Sequence, residues 1–236
     1  MEEPLRGLLL KRVAYGDADL ILTILTHERG LFSCYARSAR RQKRGWSGLL
    51  SPGNSLVFHL SGRRRSGLAS LRHLTLSKDR SRQLASPTAL ARAAYYLDLA
   101  RRVTVEDAPA EDFLSRLEFA LDRIEEPGVT RYIEWASVEQ LGVLPDLEHC
   151  GDCGADLLVH GALLSMNSGG LLCHACGHEG LAVSANTLIH LGDLTRGELV
   201  TEVNAERALA QFLGQMLLEQ LGVLESRRQA ARYASL

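Results

Sequence analysis

Four of the five cysteines fall in two close pairs, Cys150-Gly151-Asp152-Cys153 and Cys173-His174-Ala175-Cys176, which together read C-x2-C-x19-C-x2-C. No other feature restricts the fold as much. A two-residue gap lets both sulfurs of a pair reach one tetrahedral ion, and the distance between the pairs lies in the range of a zinc site. Gly151, Gly154 and Gly177 supply the tight turns such knuckles need. Cys150, Cys153, Cys173 and Cys176 are therefore expected to hold a structural Zn2+, because four thiolates close the coordination sphere and leave no position for a substrate. Redox cysteines are the competing reading, and paired CxxC units at this separation favour a metal over them. A zinc deaminase would need H-x-E ahead of P-C-x-x-C, whereas His149 directly precedes Cys150 and no such glutamate is placed. The intervening segment, 157–172, is expected to form a short hairpin around Ser168-Gly169-Gly170. Cys34 reads as a buried strand residue. This cysteine usage suits a reducing compartment, and the first residues lack a basic n-region followed by a long apolar core, so a cytoplasmic location is expected.

The net charge of −1 conceals a strong asymmetry. Residues 1–80 carry 15 Lys+Arg against 6 Asp+Glu (+9), and the remainder carries 12 against 22 (−10). A basic module on an acidic body implies a polyanionic partner for the first and protein contacts or solubility for the second. Hydrophobic content of 46% with 23% charged residues is ordinary for a globular chain. The longest apolar stretches fall far short of a membrane span, so no membrane partner is expected.

Much of the positive charge sits in two loops. Leu31–Ala36 alternates as a strand does and runs into Arg37-Ser38-Ala39-Arg40-Arg41-Gln42-Lys43-Arg44, followed by Gly45-Trp46-Ser47-Gly48. The second loop, Ser61–Gly67, carries Arg63, Arg64 and Arg65 between glycines, and Arg72, Lys78 and Arg80 follow. Cations beside an exposed aromatic suit a sugar-phosphate chain and an unstacked base. A solvated charge run beside a core tryptophan is the alternative, and these residues alone leave both open. The candidate nucleic-acid-binding residues are Arg37, Arg40, Arg41, Lys43, Arg44, Trp46, Arg63, Arg64 and Arg65. Acids are sparse in this region, and the chain shows no nucleophile–base pair and no phosphate-cradling glycine motif, so an enzyme is not expected.

Strand-like stretches at Leu8–Val13, Asp19–Thr26, Leu31–Ala36, Ser55–Leu60 and Leu68–Leu76 are separated by turn signals such as Gly16-Asp17 and Pro52-Gly53. That pattern matches a small closed barrel such as the OB-fold. From residue 87 the periodicity becomes helical. Ser86 and Pro87 open a segment reaching Val103, and Pro109-Ala110-Glu111-Asp112 opens one with Phe113, Leu114, Leu117, Leu121 and Ile124 on its apolar stripe. Thr130–Leu141 is a third helix with Gly142 as its C-cap. Ser184 is expected to cap a helix through Leu191, and Asn204 one ended by Gly222; the tail from Glu225 is expected to be a frayed end, with a further phosphate contact through Arg227, Arg228 and Arg232 as the alternative. The expected organisation is an α+β multidomain chain: an OB barrel at 1–80, a helical domain at 81–148 and 184–236, and a four-cysteine module inserted at 149–183.

These segments, in this order, resemble the RecO family of bacterial recombination mediators over nearly the whole chain. The resemblance rests on the strand pair Leu20–Thr26 and Gly30–Ala36, the basic loop Arg37–Arg44, and the Leu49-Leu50-Ser51-Pro52 step. It extends to Leu141-Gly142-Val143-Leu144-Pro145, the run from Leu144 to Cys153, and the closing Leu221–Arg228. It implies a protein that binds single- and double-stranded DNA, anneals complementary strands, and acts with RecR to help RecA replace single-strand binding protein, whose acidic tail the family also docks. Some family members lack the four cysteines, which implies a structural role for the metal. Trp46 matches no family stacking position. The alternative reading is an RNA-binding or translation-related OB-fold protein with a structural zinc finger.

Overall fold

Five apolar, β-branched runs separated by turns build the basic part of the chain into a closed barrel. In the computed structural model, which describes residues 4–41, 45–46, 48–63, 68–165 and 170–234, five strands form it: β1 (Leu5–Tyr15), β2 (Asp19–Thr26), β3 (Gly30–Ala36), β4 (Ser55–Arg63) and β5 (Ala69–Lys78). They are hydrogen-bonded in the order β1-β2-β3-β5-β4, and β4 returns to β1. Only the β3–β5 pairing is parallel. This is the expected OB-type barrel. Leu5, Leu9, Leu22, Ile24, Cys34, Phe58, Leu71 and Leu74 fill its interior.

A bulge between Leu9 and Lys11 sets which residues of β1 share the outer face of the sheet. Leu9 pairs with Ile24, and both lie in the interior cluster. The extra residue shifts the parity, so Arg12 and Ala14 now pair with inward-facing Leu22 and Leu20. Lys11, Val13 and Tyr15 consequently stand on the outer face; all three are exposed, as are Arg12 and Ala14 between them.

Two helices pack on this barrel. α1 (Pro87–Val103) starts as expected: the Ser86 hydroxyl accepts from the Ala89 N–H at 3.0 Å, with proline in the first turn. α2 (Glu111–Asp122) carries Glu111 and Asp112 in its first turn, where the helix dipole favours acids. Both contact β1, and α2 also contacts β2. Leu8, Leu10 and Leu25, which do not belong to the barrel interior, are buried. Gly30, at φ +61°, lies so close to the α1–α2 connection that a Cβ there would fall 1.8 Å from the Ala108 carbonyl oxygen, so only glycine fits this turn. The tail is a regular helix, α7 (Glu225–Ala234), rather than a frayed end. It is tied down where the Ser226 hydroxyl donates to Asp98 at 2.8 Å and the Thr88 hydroxyl to the Tyr233 carbonyl at 3.1 Å. Barrel, α1, α2 and α7 form one compact unit, Met1–Ile124 with Ser226–Leu236.

The second unit is Glu125–Glu225. It contains α3 (Val129–Leu141), α4 (Leu157–His160), β6 (Ala162–Ser165), β7 (Gly170–Leu172), β8 (Leu181–Val183), α5 (Ala185–Thr195) and α6 (Val203–Leu221). α3, α5 and α6 pack on one another, and the Trp135 indole N–H donates to the Thr195 hydroxyl at 3.0 Å. Ser184 caps α5, which runs past Leu191 to Thr195. α6 begins two residues earlier than expected, with Glu202 at the N-cap position, so Asn204 lies in its first turn instead of capping it. Grouping by contact thus differs from grouping by element type. α1 and α2 join the barrel because their apolar stripes are buried against it, while α3 joins α5, α6 and the cysteine module.

Candidate nucleic-acid face and four-cysteine centre

In the first unit, the turn after β3 is built so that one small residue goes in and the cations stay out. Ala39 is fully buried and belongs to the barrel's core cluster, whereas Arg37, Arg40 and Arg41 are exposed. The turn is pinned to the β1–β2 connection: the Arg40 N–H donates to the Ala18 carbonyl at 3.0 Å, and the Ser38 N–H to the Asp19 carboxylate at 2.6 Å. Ser38 takes a left-handed φ of 54° to make this bend. Asp19 also accepts from the Tyr35 hydroxyl. Lys43, Arg44, Arg64 and Arg65 lie outside the described residues. Arg63 closes β4, beside the second basic loop.

Trp46 is a correction to the expected exposed platform. It is only 6% exposed and packs in the barrel's core cluster with Leu50 and, at its edge, Leu49. An indole brings so much apolar area that a small barrel gains more from enclosing it than from displaying it. Its carbonyl accepts from the N–H groups of Leu49 and Leu50, folding the chain back into β4. Arg80, read as one more surface cation, is buried at 1% exposure. Its guanidinium donates to the Gly53 carbonyl at 2.9 Å, the Ser55 hydroxyl at 2.7 Å and Asp122 at 2.8 Å, with Glu118 at 3.8 Å. Lys78 pairs with the same Asp122 at 2.6 Å. These two cations latch β5 to α2.

Sequence reasoning missed the aromatics of this face. Tyr15 and Tyr35 meet edge-on, with ring centroids 5.8 Å apart and planes at 82°. The alternation Lys11, Val13, Tyr15 was readable, but its outward direction depends on the bulge.

In the second unit, the four sulfurs of Cys150, Cys153, Cys173 and Cys176 lie within 4.8 Å of one another. Two knuckles deliver them. The Gly154 N–H donates to the Cys150 carbonyl at 2.9 Å, and the Gly177 N–H to the Cys173 carbonyl at 2.8 Å. The expected hairpin is present as β6–β7, with Ser165 opposite Gly170, and β8 adds a third strand that had not been foreseen. A tetrahedral ion with metal–sulfur bonds of ~2.3 Å places its sulfurs ~3.8 Å apart, and Cys153 and Cys173 stand at 3.7 Å. That separation excludes a disulfide, and the donor set fits a single cation. N–H groups of Cys153 and Cys173 hold the Cys150 thiol down to about 6, while hydrogen bonding with Cys153 and Cys173 pushes Cys176 up to about 12. Four crowded sulfurs thus do not ionise readily together without a cation among them. Cys34 stands apart: burial pushes its thiol up to about 12.

An OB-type barrel with a basic rim, followed by helices that frame a four-thiol knuckle, defines a class of nucleic-acid-handling proteins rather than an isolated fold. The family description "Recombination protein O N terminal" matches residues 1–80, and "Recombination protein O C terminal" matches 84–228. The chain belongs to the RecO family of DNA repair proteins. It is 30% identical over 241 residues to "DNA repair protein RecO" of Anaeromyxobacter sp. (strain K), covering 97% of this chain and 93% of that protein. The protein of the same name from Myxococcus xanthus (strain DK1622) is 29% identical, covering 81% and 80% of the two chains. That from Synechococcus sp. (strain JA-3-3Ab) is 31% identical, covering 86% and 73%. Among the described residues no helix is long and apolar enough to cross a membrane.

Proposed function

We propose that this chain binds single- and double-stranded DNA through its barrel, anneals complementary strands, and works with RecR to load RecA onto strands coated with single-strand binding protein, in the cytoplasm. The observation that carries this reading is the turn in which Ala39 is buried while Arg37, Arg40 and Arg41 point to solvent, on a module of charge +9. Cations so placed contact phosphates without reading bases. Two strands held this way no longer repel each other fully, and their base edges stay free to pair. Lys43, Arg44, Arg63, Arg64 and Arg65 are proposed to add further phosphate contacts. The cysteine centre takes Zn2+ and serves as a staple: it ties the two knuckles around a three-stranded sheet whose strands are only three or four residues long. No covalent step is required.

The test is a salt-titrated binding and annealing assay. Each phosphate contact on a single strand contributes about −0.7 to the log–log salt slope. Replacing Arg37, Arg40 and Arg41 by alanine should flatten that slope by about 2 and slow annealing for all sequences alike. An unchanged slope would reject this surface. Direct competition between single-stranded DNA and RNA separates this reading from an RNA-binding one.

A further inference from the structure

The geometry points to Tyr15 as the residue on which this chain stacks an unpaired DNA base, with Tyr35, Val13 and Ile21 forming the apolar floor beside it. This rests on the DNA-binding reading and gives it a strand preference.

Three observations carry it. First, register places these side chains on one face. Val13 pairs with Ile21, and Ile21 with Tyr35, in a row across three strands, while Tyr15 pairs with Asp19 at the edge of that row. Directly paired residues share a face of the sheet. The alternate positions of β2 and β3, Leu20, Leu22 and Cys34, are buried in the barrel, so this row lies on the opposite, outer face; on β1 itself residues 11–15 are all exposed. Second, the face is open and apolar where it should be covered if it were merely structural. Tyr15 is 55% exposed and Val13 44%. Farther along the same strands, Leu8 and Leu25 are fully buried, so the outer surface divides into a covered end and an open end. Third, the open end carries cations and is rigidly joined to more of them. Lys11 lies on the same face, one alternation from Val13. Asp19 accepts from both the Tyr35 hydroxyl and the Ser38 N–H, and Arg40 is hydrogen-bonded to Ala18. The ring pair and the turn bearing Arg37, Arg40 and Arg41 therefore move as one piece.

An exposed aromatic braced edge-on by a second ring, with cations around it, matches the needs of a single strand: a π-face for the base and charges for the phosphates. A duplex keeps its bases stacked internally and offers no face to Tyr15. A protein partner with an acidic segment would satisfy the cations but not the ring, so single-stranded DNA is the occupant argued here.

The full-length protein with unaltered sequence is compared with Tyr15→Ala, Tyr15→Phe and the Arg37/Arg40/Arg41 alanine variant, on single-stranded and duplex oligonucleotides of equal length. Tyr15→Ala should bind single strands about ten- to a hundredfold more weakly, with its duplex affinity and salt slope unchanged. Tyr15→Phe, which keeps the ring, should restore binding. The arginine variant should weaken on both substrates. As a readout independent of any variant, photocrosslinking to a strand containing 5-iodouracil should label the tryptic peptide 13–29. Full single-strand affinity in Tyr15→Ala, or an equal loss on duplex, overturns the stacking assignment while leaving DNA binding intact. Failure of the unaltered protein to bind either substrate at low salt overturns both readings.

Discussion

Removing the Arg80 side chain should damage the barrel unit far more than removing its neighbour Lys78, although both contact Asp122. The difference follows from burial. Arg80 is 1% exposed and satisfies the Gly53 carbonyl, the Ser55 hydroxyl and Asp122 at 2.7–2.9 Å. Its backbone N–H also donates to Asn54 at 3.0 Å. Truncation to alanine strands a carbonyl and a hydroxyl without their donor and leaves Asp122 and Glu118 with less compensation, a change that costs about 3–5 kcal/mol when a buried ion pair is broken. Lys78 is 46% exposed at its side chain, and loss of such a pair costs about 0–1 kcal/mol. Thermal unfolding of Arg80→Ala should therefore begin roughly 10–20 °C lower, with Lys78→Ala within about 4 °C of the parent. The two tryptophans make the assay unit-specific, since Trp46 lies in the barrel unit and Trp135 in the other. In a Trp135→Phe background, Trp46 emission follows the barrel alone. Arg80→Lys should recover only part of the loss, because an ammonium cannot span three acceptors as the guanidinium fork does. Equal transitions for Arg80→Ala and Lys78→Ala would refute the latch.

Two further outcomes follow from the same structure. Trp46→Ala should destabilise the barrel by about 3–5 kcal/mol through lost burial, and in the parent its fluorescence should resist acrylamide quenching; ready quenching would contradict its 6% exposure. After chelation, iodoacetamide at pH 8 should add at most four adducts by intact mass, none of them at Cys34. Folding raises the Cys34 thiol to about 12, so it stays protonated and unreactive there, and the stability this neutral thiol confers is lost only as pH climbs above the ordinary thiol range. A fifth adduct on the folded protein would contradict that.

Much of this was legible along the chain because short-range chemistry writes itself into short-range pattern. The C-x2-C-x19-C-x2-C spacing located the thiol cluster, Ser86-Pro87 located the start of α1, and apolar, β-branched runs between turn signals located the five barrel strands. What escaped depended on contacts between distant residues. Trp46 sits between glycines in a basic loop, where display and burial read equally well, and only the core cluster it joins with Ala39 and Leu50 decides between them. Arg80 looks like its neighbours in a cationic run, and only Asp122, 42 residues away in sequence, turns it inward. Tyr15 was passed over because one inserted residue at Leu9/Lys11 changes which residues of β1 share a face with Ile21 and Tyr35, and nothing in the local composition marks that insertion. β8 is three residues long and carries too little alternation to be read.

The discontinuous composition of the barrel unit bears on how the protein is made. On a ribosome the barrel with α1 and α2 emerges first, and the entire segment Glu125–Glu225 is synthesised before α7 appears. The contiguous thiol-bearing unit can complete its own folding as a separate body during that interval. The site on α1 that receives Ser226 and Tyr233 waits uncovered until the last helix is released, so a nascent chain stalled before it would expose an unfinished repair factor to proteases.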